Sequence, residues 1–506
     1  MNVSELLARN ARKYSDHTAL LYLGEEMSYR TLDERVTKLA SSLRDRGITK
    51  GDKVILFFPN VPEFAISYFA VLRLGAITVP VNARLTPHEL SYIIEHSEAK
   101  AFIGHEMLFE TCKDLSSKFQ LHWIKTGDRF GHWDSFEDLL TYGSSDVIHC
   151  DLKEDELATI LYTSGTTGKP KGVLFSYRNI LSVATMMAVE TEMKSESRML
   201  HIMPLSHSAP LHLFFVAGTY VGATHILHPS FTPEALLELV EQQKPTHFFG
   251  APVAYLLTAS HPKLKSTDLS SMKWWIYGGA PLSKNEITYI RNSFRTNQLM
   301  CVYGLTEAGP SGTLLCPSEH DAKAGSIGRR AALNTELAII NENGDRVDQG
   351  EIGEIALFGE GNMVGYYKDD IKTKETVCNG WLLTGDMARE DEDGYIWIVD
   401  RKKDMIICGG INVYPKEIED ALKEYSAITD VAVIGVPHSK WGESIKAYIV
   451  TNDPIENPLE ICQTFLEGRI AKYKIPHIVE CVDDLPRNPT GKILKQVLRG
   501  KEGALK

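Results

Sequence analysis

From about Lys53 to Glu360 the chain alternates short β-branched runs with longer helical patterns, which restricts it to layered α/β folds on largely parallel strands. Val54–Phe58 reads as a strand, Pro62–Leu74 as an amphipathic helix, Ile77–Val81 as the next strand and Thr86–His96 as the next helix. Ala158–Thr163 and Met272–Tyr277 are strand-like runs that each lead into a glycine-containing loop, where α/β folds place ligands. Near residue 335 the texture changes. Leu337–Ile340, Glu354–Phe358 and Tyr395–Val399 are separated by the turn sequences NENGD and EDEDG, which predict antiparallel hairpins. After DRKKD (Asp400 to Asp404) the pattern becomes α+β, with helices over Pro415–Glu424 and Leu459–Ala471 and strands over Val431–Val436 and Ile445–Val450. The expected architecture is a large N-terminal domain of layered α/β subdomains plus a β-rich subdomain (1–400), followed by a small α+β C-terminal domain (401–506).

The length of 506 residues exceeds what one core organises, which agrees with that division. A net charge of −12 argues against wholesale nucleic-acid binding, although local basic patches are compatible with it. The eight cysteines form no C-x-x-C pair, so neither a structural zinc nor a disulfide framework is indicated and a reducing cytoplasm is expected. The N-terminus carries charges where a signal peptide would be apolar. The most apolar stretch, Phe64 to Val81, is interrupted by Arg73, Gly75 and Pro80, so it predicts a buried helix and strand rather than an integral membrane segment.

Tyr162–Gly172, YTSGTTGKPKG, contains three glycines, four Ser/Thr hydroxyls and two lysines at the end of a predicted strand. Glycines let backbone N–H groups approach an anion, the hydroxyls of Thr163, Ser164, Thr166 and Thr167 add neutral donors, and Lys169 or Lys171 adds charge. A Walker A loop is excluded, because only two residues separate Gly165 from Gly168 and Lys169 precedes Pro170, which has no N–H to donate. No early G-x-G-x-x-G points to a dinucleotide fold.

This loop resembles the signature of the adenylate-forming superfamily of acyl-CoA synthetases, peptide-synthetase adenylation domains and luciferases. Further matches follow in family order: Gly278–Leu282 (GGAPL), Tyr303–Gly309 (YGLTEAG), Gly380–Asp386 (GWLLTGD), Val399–Tyr414 (VDRKKDMIICGGINVY) and Pro486–Lys495 (PRNPTGKILK). The resemblance implies that Thr163, Ser164, Gly165, Thr166, Thr167, Gly168 and Lys169 bind phosphate, and that Gly278, Gly279, Ala280 and Pro281 border the adenine. It gives Tyr303 and Gly304 to the purine, Thr306 to the α-phosphate, and Glu307 to Mg²⁺ as an oxygen ligand. Asp386 would accept from both ribose hydroxyls, a charge-assisted arrangement, with Arg401 as a second ribose contact.

A carboxylate and a triphosphate repel, so their union needs cationic help. The resemblance gives Lys492 that catalytic place and makes His207, in MPLSHSAPLH (Met203–His212), the gate of the acyl site. The implied reaction joins a carboxylic acid to ATP as an acyl-adenylate, releasing pyrophosphate, and then passes the acyl group to the thiol of coenzyme A with release of AMP. Between the halves the C-terminal domain would turn about Lys403 and bring Gly409 and Gly410 to the thiol channel. Met203–His212 contains neither an acidic residue, as an amino-acid substrate would require, nor an arginine, as a dicarboxylate would favour. PVNARLTPHEL (Pro80–Leu90) and GGINVYPKEIE (Gly409–Glu419) look most like fatty-acyl and related carboxylate–CoA ligases. The expected partners are thus a fatty or related monocarboxylic acid, ATP with Mg²⁺, and CoA, with a homodimer as a possible assembly. An aryl-acid CoA ligase and a stand-alone adenylation domain loading a carrier protein remain as alternatives.

Overall fold

The computed structural model describes residues 3–146, 148, 150–163, 170–408, 411–438, 441–487 and 493–503. Its contacts divide the chain into two compact units, Met1–Leu337 with Leu357–Leu382, and Ala338–Ala356 with Leu383–Lys506.

The first unit holds two large sheets. One has eight strands in the order Gly365–Tyr366, Lys171–Ser176, Leu157–Thr163, Ile77–Val81, Lys53–Phe57, Ala99–Gly104, His122–Lys125 and Trp133–Ser135. It is parallel from Leu157–Thr163 onward, and Lys171–Ser176 turns back antiparallel on the far side of the glycine-rich loop. The other has nine strands, parallel from Leu299–Tyr303 through Trp274–Gly278, His247–Gly250, Arg198–His201 and Thr224–Leu227 to Thr18–Tyr22, with antiparallel strands at both edges.

Local chemistry sets the element ends. The helix expected from Thr86 spans Pro87–Ser97: Thr86 is its cap, joined reciprocally to Glu89 in a capping box, with Pro87 at the first helical position. The apolar stretch from Phe64 becomes the helix Pro62–Arg73, whose residues Phe64 to Leu72 are all buried, and then the buried strand Ile77–Val81. Among the described residues no helix is long and apolar enough to cross a membrane.

In the second unit both expected hairpin turns are present. Asn341 N donates to Asp345 O at 2.8 Å with Gly344 at φ 87°, and Asp391 N donates to Tyr395 O at 2.8 Å with Gly394 at φ 82°. The C-terminal sheet is built from Ile411–Val413, Ile406–Cys408, Gly442–Thr451, Ile428–His438 and Ile478–Cys481. Side chains of Ile428–His438 alternate between two cores. Val431 and Val433 face helices Pro415–Lys423 and Pro458–Leu466, while Ala432, Ile434 and Val436 pack with Leu498 of helix Lys495–Gly503. The helix expected over Leu459–Ala471 ends at Leu466, because Glu467 is extended and Gly468 is left-handed at φ 76°.

Candidate functional site

Adjacent parallel strands Trp274–Gly278 and Leu299–Tyr303 end together, with Gly278 opposite Val302. A Cβ on Gly278 would lie 2.6 Å from Val302 O, so only glycine lets the two backbones approach here. The chain then turns through the exposed Gly279, Ala280 and Pro281. At the neighbouring strand end, Tyr303 is half-buried and paired with Thr313, and a side chain on Gly304 would collide with Pro310 O.

Thr306–Ala308 forms one tight turn just beyond this strand, so consecutive residues 306 and 307 present a hydroxyl and a carboxylate at the C-terminal edge of the sheet. Thr306 Oγ1 is 3.1 Å from Ser208 Oγ. Glu307 is gripped twice: its carbonyl accepts from Met363 N at 2.7 Å, and Oε1 accepts from Tyr366 OH at 2.9 Å. Thr163 lies at the mouth of the glycine-rich loop, opposite Lys171 across the hairpin. Helix Pro87–Ser97 braces both feet of that loop, through His96 Nδ1 to Tyr162 OH at 2.8 Å and Tyr92 OH to Pro170 O at 3.2 Å.

Met203–His212 is pinned from outside. Asn60 donates to the carbonyls of His201 and Met203 and accepts from Leu205 N. His207 Nε2 lies 3.0 Å from Asn82 Nδ2, while Asn82 Oδ1 is engaged by Arg84 N. The asparagine therefore donates, Nε2 accepts, and the imidazole proton sits on Nδ1. Burial pushes the His207 pKa down and keeps the ring neutral. His212 opens no metal site: it is buried against Phe175 with its pKa driven down to about 3, and His201, also near 3, is hydrogen-bonded to His225 at 2.9 Å. Residues Ala209–Val216 wind as a π-helix, a wide-turn geometry frequent at functional sites and not foreseen from the sequence.

In the second unit, Asp386 and Arg401 are directly opposed in the ladder of Trp381–Glu390 with Ile396–Arg401. The rest of DRKKD is tied down around them. Lys402 pairs with Glu354 at 2.9 Å, Asp404 with Arg499 at 2.9 Å, and Asp400 accepts from Lys416 N at 2.7 Å, while Lys403 is exposed.

Ser164, Gly165, Thr166, Thr167, Gly168, Lys169, Gly409, Gly410 and Lys492 lie outside the described residues. Of the others, the fold brings Gly278, Gly279, Ala280, Pro281, Tyr303, Gly304, Thr306 and Glu307 to the edges of two adjacent strands, and Asp386 and Arg401 to one sheet of the second unit, with Lys403 in the turn that follows Arg401. Sequence reasoning missed Ser208, Asn82 and Tyr366. The signal for Tyr366 was its place in the aromatic pair Tyr366-Tyr367 after Gly365, which reads locally as an ordinary turn.

No cluster of three or more His, Cys, Asp or Glu side chains among the described residues could cage a metal. Glu307, with one oxygen engaged, fits a Mg²⁺ that arrives on a triphosphate, because Mg²⁺ keeps water and phosphate ligands and takes few from protein.

Residues 7–367 match the model of the AMP-binding enzyme family and residues 417–492 that of the AMP-binding enzyme C-terminal domain. The chain is 36% identical over 498 residues to a feruloyl-CoA synthase of an Amycolatopsis species, covering 98% of each. It is 32% identical to a long-chain-fatty-acid–CoA ligase of Bacillus subtilis, covering 99% of this chain and 94% of that one. The crystal structure of ATP-bound MatB from Rhodopseudomonas palustris superposes with a TM-score of 0.89 at 30% identity over the full length of both.

Proposed function

The chain belongs to the AMP-binding enzyme family, the adenylate-forming acid–thiol ligases, and on that premise we propose that it joins an uncharged-tailed monocarboxylic acid, fatty or aryl, to coenzyme A. One observation carries the choice of acid. From Met203 to Val216 there is no acidic or basic side chain apart from His207 and His212, and burial keeps both imidazoles neutral. An ammonium or a second carboxylate on the acid would find no counter-charge there, and an unpaired buried charge costs several kcal/mol, about 3–5 when one partner of a pair is missing.

In the first half-reaction a carboxylate oxygen attacks the α-phosphorus of ATP. The bond to the β-phosphate oxygen breaks, and pyrophosphate leaves with the electron pair. Thr306, held by Ser208, donates toward an α-phosphate oxygen, and Lys492 supplies positive charge to the meeting anions. Glu307 would hold Mg²⁺, which when bound neutralises the departing pyrophosphate. In the second half the thiol of CoA attacks the acyl carbon, loses its proton, and AMP leaves as the acyl–oxygen bond breaks. We place the boundary at residues 400 and 401, with Lys403 as the pivot between the two halves and Gly409-Gly410 carried toward the thiol. Asp386 and Arg401 are assigned to the ribose.

The test is a panel of fatty, aryl, amino and dicarboxylic acids scored by AMP release with and without CoA. Turnover confined to simple monocarboxylates is expected. Preference for an amino acid or a dicarboxylate would overturn the choice of acid, and turnover with a phosphopantetheine carrier protein but not CoA would overturn the acceptor.

A further inference from the structure

Glu307 does not stand alone at the strand edge. Gly365–Tyr366 forms a two-residue strand on Lys171–Ser176, with Tyr366 opposite Val173, so the tyrosine is fixed to the strand that leaves the glycine-rich loop. Its main chain is fixed as well: Tyr366 N donates to Thr373 Oγ1 at 2.9 Å, and a Cβ on Gly365 would lie 2.8 Å from Thr373 Cγ2. The ring is 7% exposed, and Lys171 Nζ stands 5.2 Å from its centroid. From this fixed position the phenol O–H donates to Glu307 Oε1 at 2.9 Å. A cation near the ring face draws electron density from the phenol and makes its O–H a stronger donor.

We propose that Tyr366 is the positioning residue for the metal-binding carboxylate: it engages Oε1 of Glu307, fixes the carboxylate plane and leaves Oε2 for the cation. The proposal deepens the ligase function stated above and rests on it. A glutamate on a one-turn helix has several rotamers available, and freezing one before the metal arrives removes an entropy cost from binding. Because the same tyrosine is strapped to Lys171–Ser176, the carboxylate and the exit of the glycine-rich loop share one rigid support. Both are expected to meet the same triphosphate.

The experiment measures ATP binding to the full chain by calorimetry, with Mg²⁺ and with EDTA. The ratio of the two affinities is the gain due to metal. Tyr366→Phe keeps the ring beneath Lys171 and removes only the hydroxyl. It is expected to reduce the metal gain by about tenfold to a hundredfold, the worth of one hydrogen bond to a charged group, and to leave metal-free affinity unchanged. In pyrophosphate exchange the Mg²⁺ concentration for half-maximal rate should rise by a similar factor while the rate at saturating Mg²⁺ recovers. An unchanged metal gain in Tyr366→Phe overturns the proposal, and so does an equal loss with Mg²⁺ and with EDTA, which would mark a merely structural ring. Glu307→Gln separates the levels: if it abolishes the gain while Tyr366→Phe does not, only the positioning role falls. If Glu307→Gln keeps the gain, the metal assignment falls with it, and a wild-type chain that does not bind ATP at all would overturn the function itself.

Discussion

Arg401 Nε lies 2.6 Å from Asp386 Oδ1, across a ladder in which the two residues are direct partners, and the Asp386 side chain is only 8% exposed. The guanidinium also donates to Thr384 O at 3.2 Å. A carboxylate that would otherwise be a buried charge is thereby made tolerable and aimed.

Arg401→Ala should therefore destabilise the chain by about 1–3 kcal/mol, less than for a fully buried pair because the arginine is partly solvated. Adding Asp386→Asn to it should recover part of that loss. Urea unfolding of the two single variants and the double variant gives the coupling directly, and additive effects would show that the pair is not an energetic unit.

Lys492→Ala should abolish carboxylate-dependent pyrophosphate exchange and leave much of the conversion of preformed acyl-adenylate to thioester intact. Separate assays of the half-reactions check this. Equal loss in both would remove Lys492 from the adenylation step.

Lys403→Pro fixes φ at the proposed pivot. Adenylation should survive and thioester formation should stop, read as a burst of pyrophosphate without acyl-CoA. Normal turnover would place the pivot elsewhere.

Acid should weaken the fold early. Burial drives the pKa of His201 and His212 down to about 3 and of His247 to about 4, and His225 lies well below its ordinary value. In the unfolded chain each titrates near 6.5, so there it binds a proton that the folded chain refuses. Their contribution is complete above about pH 6.5 and is lost as pH falls toward the folded values, each histidine adding up to about 1.4 kcal/mol per pH unit. Urea midpoints taken between about pH 7.5 and pH 5 should fall steadily, and a flat profile would contradict the burial of these rings in neutral form.

Much of this was legible before any coordinates, because it is written locally. Thr86-Pro87 and Glu89 mark a helix start within four residues, and NENGD and EDEDG carry their own turn geometry. Gly278 could be tied to a strand end because it directly follows the strand-like run Met272–Tyr277. What stayed hidden depends on residues far apart in the chain. Ser208 meets Thr306 across 98 positions, Asn82 meets His207 across 125, and Tyr366 meets Glu307 across 59, and none of these pairings leaves a period or a spacing to read. The π-helix at Ala209–Val216 was invisible for another reason: its apolar run is compatible with several helical windings, and tertiary packing selects among them.

The tethers around DRKKD fall into two sets on either side of Lys403. Arg401 and Lys402 are bound to Asp386 and Glu354, which come earlier in the chain, while Asp404 is bound to Arg499, which comes later. A turn about Lys403 can carry each set along whole. The hydrogen bond from Lys416 N to the Asp400 carboxylate is different, since it reaches from one side of the proposed pivot to the other. If Lys403 is that pivot, the Asp400 carboxylate is one catch on it, beside the main-chain bonds from Asp404 N and Met405 N to Arg401 O, which also cross position 403.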